Sequence, residues 1–83
     1  MSHSKAKYEK YISPTAVIGE GTMVFPGATV LEATIGNGCT IMPGAFVFPG
    51  AVLGDNVALW NGATVLPGAI VPAGTHVKGV WGE

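Results

Sequence analysis

Residues 35–53 read IGNGCTIMPGAFVFPGAVL, and an aliphatic residue returns at every sixth position: Ile35, Ile41, Val47 and Leu53. Working outward, the column runs back through Val30, Val24, Ile18 and Ile12 after one five-residue step, and forward through Leu59, Val65, Val71 and Val77. Two residues before the later members stands a compact residue: Ala16, Thr22, Ala28, Ala33, Cys39, Ala45, Ala51, Val57, Ala63, Ala69 and Thr75. A period of six suits neither a helix, which repeats near ~3.6 residues, nor a long strand, which repeats near ~2. Short strands separated by turns do suit it. Side chains alternate along an extended segment, so the column residue and the one two before it share an inward face. Turn chemistry fills the remaining positions: Pro26-Gly27, Asn37-Gly38, Pro43-Gly44, Pro49-Gly50, Asp55-Asn56, Asn61-Gly62 and Pro67-Gly68. Proline presets φ, and Gly and Asn tolerate positive φ.

Sorting the hexads into threes exposes a second period. The residue after the column is Gly19, Gly36, Gly54 or Pro72 in one class, Ser13, Leu31, Phe48 or Leu66 in another, and Phe25, Met42, Trp60 or Lys78 in the third. The coil therefore has three sides, and the prediction is an all-β, three-sided parallel solenoid of about four coils. It spans 12–78, with 1–11 as an N-terminal leader or cap and 79–83 as a C-terminal tail. The five-residue step from Val30 to Ile35 is absorbed by trimming one turn.

Eighty-three residues make one domain, and a chain this short needs disulfides, metal, oligomerisation or very regular packing. Cys39 is the sole cysteine; an intrachain disulfide is excluded, and its place in the compact column makes it a buried structural thiol. Four basic residues and a net charge of −1 leave almost none of the electrostatic drive for nucleic-acid binding. Lys5, Lys7 and Lys10 read as a solvated feature of the leader. Mean hydropathy is +0.46, yet Gly and Pro interrupt every apolar run well short of the ~20 residues of a membrane span. Met1 to Lys10 lacks the apolar core of a secretion signal. The expected location is cytoplasmic, with no membrane partner.

The outer surface is uneven. Glu20, Asn37 and Asp55 sit among glycines on one corner, which should face water. The side whose column is Ile12, Val30, Val47 and Val65 is flanked by Leu31, Phe48 and Leu66 on one corner and by Phe25, Met42 and Trp60 on the other, with Phe46 on the face itself. So large a patch is not expected on a soluble monomer. Leu31, Phe46, Phe48 and Leu66 are the expected subunit interface, with a different protein as the alternative occupant.

Candidates for chemistry are few. His3 lies in the leader, and His76 precedes a column residue, so it points outward on the last coil; it is a weak candidate for a catalytic base. No metal site is expected, because ligand-spaced His and Cys clusters are missing from the sequence. Gly19-Glu20-Gly21 and Gly36-Asn37-Gly38 lack the Lys-Ser/Thr partner of a phosphate loop and read as plain turns.

On its hexad column the chain resembles the hexapeptide-repeat, left-handed β-helix family; the left hand and a homotrimer with parallel axes are what that resemblance implies. Locally, Ile12-Ser13-Pro14-Thr15-Ala16-Val17-Ile18-Gly19 and Ile35-Gly36-Asn37-Gly38-Cys39-Thr40-Ile41 are similar to opening coils of sugar and sialic-acid O-acetyltransferases. In those enzymes the next coil typically carries a Glu-His-Asp turn whose His deprotonates the acceptor. Here that stretch is Phe48-Pro49-Gly50. General acid–base help is worth ~10²–10⁴ in rate, so the proline turn weighs against inherited acyl transfer. Three readings follow. The leading one is a non-catalytic homo-oligomeric binding or scaffold module without a cofactor. A second is a small-ligand binder at the inter-subunit cleft, using Phe25, Met42 and Trp60 for stacking and Thr40 and Asn61 as polar anchors. A third is an acetyl-CoA-dependent acetyltransferase lacking the usual histidine, with His76 acting across an interface or with no side-chain base.

Overall fold

The computed structural model describes residues 9–82; His3, Lys5, Lys7 and the rest of the expected leader before residue 9 lie outside the described residues. The described chain forms two-residue strands: β1 (Tyr11–Ile12), β2 (Val17–Ile18), β3 (Met23–Val24), β4 (Thr29–Val30), β5 (Thr34–Ile35), β6 (Thr40–Ile41), β7 (Phe46–Val47), β8 (Val52–Leu53), β9 (Ala58–Leu59), β10 (Thr64–Val65), β11 (Ile70–Val71), β12 (His76–Val77) and β13 (Val80–Trp81). From β1 to β12 the second residue of each strand is the hexad column residue. Each strand stops at a turn whose last residue has positive φ at most corners, usually Gly and once Asn56 with φ 58°.

Three parallel sheets result. Strands β1, β4, β7, β10 and β13 form the first, β2, β5, β8 and β11 the second, and β3, β6, β9 and β12 the third. Pairing is in register with the column: Ile18, Ile35, Leu53 and Val71 lie on one another along the second sheet, and Val24 and Ile41 pair in the third as Leu59 and Val77 do. The chain is the parallel solenoid of about four coils that the repeat predicts, and it matches the left-handed β-helix that the family resemblance implies. Every inward side chain meets its counterpart one coil away, which is why Val30, Ile41, Val47, Leu59, Ala63 and Val65 are 0% exposed. Ile12, Ala16 and Ile18 in the first coil, and Ala69 and Trp81 in the last, are only partly buried against this core.

The five-residue step is absorbed where expected. Between β4 and β5 a single bend at Glu32 replaces the usual two-residue turn. The Glu32 carbonyl still accepts the Gly50 N–H at 2.7 Å, so the following coil keeps its place.

One expectation is corrected. Val80–Trp81, within the stretch read as a tail (79–83), is a strand that pairs with β10 through Thr64↔Val80 and Val65↔Trp81. The hexad pattern hides it because the spacing from Val77 to Trp81 is four and the inward residue is Trp rather than an aliphatic one. Trp81 packs on the core, and its Nε1–H donates to the Ile70 carbonyl at 2.9 Å. It closes the C-terminal end of the solenoid.

The polar corner is built by side chains that reach back one coil. Asn37 Oδ1 accepts the Glu20 N–H and Asp55 Oδ1 accepts the Asn37 N–H, both at 2.9 Å. These oxygens lie where a β-carbon on Gly19 or Gly36 would stand, 2.5 Å from it in the Gly36 case, so this corner requires glycine for close approach. Behind it Thr22 donates to the Gly36 carbonyl at 2.7 Å and accepts the Cys39 N–H at 3.0 Å, while the Cys39 thiol donates to the Gly54 carbonyl at 3.1 Å. Cys39 is a free buried thiol, as its column position implied.

Candidate functional site

Leu31, Phe48 and Leu66 follow β4, β7 and β10 and form a ridge on the corner between the first and second sheets. Their N–H groups donate to Val47, Val65 and Trp81 carbonyls at 2.9, 3.0 and 3.0 Å, which fixes the ridge at the coil spacing. Phe46 points out from β7 and packs on Phe48, with ring centroids 4.6 Å apart and planes tilted by 31°. All four expected interface residues are half-buried within the single chain.

Across the ridge the outer face of the second sheet is more exposed. Its outward residues are Val17, Thr34, Val52 and Ile70, of which Val17 is 59%, Val52 41% and Ile70 69% exposed. Sequence reading missed this stripe because it weighed the residues after the column. The signal lay one position before it, where this class of hexads carries three β-branched aliphatics and a threonine. The apolar surface therefore continues from Phe46 over the ridge onto a second side of the prism.

The opposite corner, between the third and first sheets, carries Phe25, Met42, Trp60 and Lys78. Beside it lies a recess of about 160 Å³ lined by Thr40, Met42, Ala58 and Trp60. Three of the five expected cleft residues thus come together; Phe25 and Asn61 are not in the lining. Ala58, which the sequence did not flag, makes the recess, because it pairs with both Thr40 and His76 on the third sheet and leaves only a methyl group between them. Trp60 is 43% exposed. The Lys78 ammonium lies 5.3 Å from its ring centroid, and the His76 ring is 6.2 Å away.

His76 is the exposed first residue of β12, with its ring beside Trp60. At the turn where the acetyltransferase resemblance places a base, Pro49-Gly50 is tied into the stack: Gly50 N–H donates to Glu32, and the Pro49 carbonyl accepts the Gly68 N–H at 3.1 Å. Among the described residues no group of three or more His, Cys, Asp or Glu is placed to hold a metal ion, and no helix is long and apolar enough to cross a membrane.

Residues 32–67 match the family model described as bacterial transferase hexapeptide (six repeats). The chain is also similar to the bifunctional protein GlmU of Halalkalibacterium halodurans, with 47% identity over 36 residues. That alignment covers 42% of this chain and 8% of the relative, so the chain spans a small part of the protein it matches. No solved structure gives a significant match. The matched stretch runs through β5–β10 and contains Met42, Phe48, Trp60 and Leu66. Repeat period, three-sheet coil and family match agree on a hexapeptide-repeat solenoid, the match to the bacterial transferase hexapeptide family being carried by residues 32–67, less than half of the chain.

Proposed function

We propose that this chain acts as a homo-oligomeric binding or scaffold module, a trimer on the family resemblance, without acyl-transfer chemistry of its own. The observation that carries the reading is the continuous apolar surface formed by the Leu31–Phe48–Leu66 ridge, Phe46, and the exposed Val17, Val52 and Ile70. Burying apolar area is worth roughly 25 cal/mol per Å², and stable interfaces remove about 1,600 Å² in total from water. A second copy set against the ridge would cover parts of both flanking faces.

The absence of acyl transfer is supported by Pro49, whose ring offers no proton acceptor at the turn where related enzymes place histidine. His76 is left as the candidate base, and its ring stands beside the Trp60 indole. The test pairs assembly with chemistry. Native mass spectrometry of the Phe48→Asp and Ile70→Asp variants should show loss of the oligomer, and acetyl-CoA with amine or sugar acceptors should release no free thiol above blank. An oligomer that survives both substitutions contradicts the interface. Thiol release that His76→Ala abolishes contradicts the non-catalytic reading.

A further inference from the structure

We propose that the recess beside Trp60 is a binding site for a single aromatic ring bearing a carboxylate, complete within one chain. Size sets the first limit. A recess of about 160 Å³ is close to the ~150 Å³ that accommodates benzene in a protein cavity, so it seats one ring. Lining sets the second. Trp60 presents an exposed indole for offset stacking, the Met42 thioether suits contact with a ring edge, and the Ala58 methyl leaves room above the sheet. The Thr40 hydroxyl is the one polar side chain in the lining.

Charge sets the third. Glu20 and Asp55 occupy the corner between the second and third sheets, and Glu32 the corner between the first and second. The corner that holds Met42 and Trp60 carries the only Lys or Arg within 12–82, Lys78. Its ammonium, 5.3 Å from the indole centroid, ends a flexible stem beside the aromatic wall, with His76 next to it. One cation favours a monoanion; di- and triphosphates are usually held by a nest of N–H groups or several cations. Lys78 does not line the recess; its ammonium borders the Trp60 indole, so a ring stacked on Trp60 would carry its carboxylate beyond the lining toward Lys78.

The probe is benzoate, titrated into the full chain and followed by the indole N–H resonances of Trp60 and Trp81. Trp60 should shift saturably in the millimolar range while Trp81 stays fixed. Benzyl alcohol, the same ring without charge, should bind about fivefold more weakly, the order expected of one exposed ion pair. Lys78→Met should remove that difference. Ala58→Leu should fill the recess and abolish the shift while the melting transition stays cooperative. A shift shared equally by both indoles, equal binding of benzoate and benzyl alcohol, or unchanged binding in Ala58→Leu would overturn the proposal. No saturable change at Trp60 would overturn it as well.

Discussion

Trp81 Nε1 donates a 2.9 Å hydrogen bond to the carbonyl of Ile70, so the last inward side chain of the solenoid also satisfies an acceptor on the exposed edge of β11. Among the described residues no further coil stacks beyond β11–β13. Here an indole covers the core, and its one polar atom blunts a strand edge that is otherwise free to pair with another chain.

Replacing Trp81 should therefore unravel the stack from its C-terminal end. Trp81→Phe keeps most of the cover and should cost about 1 kcal/mol for the lost hydrogen bond. Trp81→Ala should cost roughly 2–4 kcal/mol, somewhat below a fully buried Trp because the residue is half-buried. Urea melts give the energies. Amide exchange should accelerate first at β10–β13 in Trp81→Ala, since stability in stacked repeats is local.

The polar corner makes a separate prediction. Gly36→Ala would place a methyl group 2.5 Å from Asp55 Oδ1 and 2.7 Å from the Gly54 carbonyl carbon, so one coil must shift away from the next. A loss of about 1–3 kcal/mol is expected, as for overpacking elsewhere. Asp55→Asn keeps an oxygen for the Asn37 N–H and should be nearly neutral, whereas Asp55→Ala should cost about 1 kcal/mol. Thermal melts of the three variants check the order.

Cys39 is 1% exposed, and its thiol donates to the Gly54 carbonyl. It should resist alkylation by iodoacetamide in buffer and react fully in denaturing urea, with mass spectrometry counting the adducts. Rapid labelling of the native protein would contradict its burial.

Most of the fold was legible because each level of the sequence pointed the same way. The column residues became the second residue of every strand from β1 to β12, and the third-hexad classes became the three sheets. What stayed hidden broke the period. Trp81 arrives four residues after Val77 and is aromatic, so its inward role depends on the chain turning at Lys78-Gly79, which no hexad rule describes. At the surface, corner residues were easy to sort, and Leu31, Phe48 and Leu66 do form a ridge. The stripe of Val17, Val52 and Ile70 was overlooked because β-branched residues are ordinary in strands, and only exposure separates a packed one from a free one. Ala58 is legible as small, but the recess also needs Thr40, Met42 and Trp60 brought around it by the coil stacking.

The central claim is that the apolar ridge and its flanks are covered by further copies of this chain. Light scattering of the wild-type protein, coupled to size exclusion and repeated on dilution to low micromolar concentration, tests it most directly. A particle of three times the 8.4 kDa chain mass, reduced to a single chain by Phe48→Asp, is the predicted result. A stable wild-type monomer of 8.4 kDa would contradict the account.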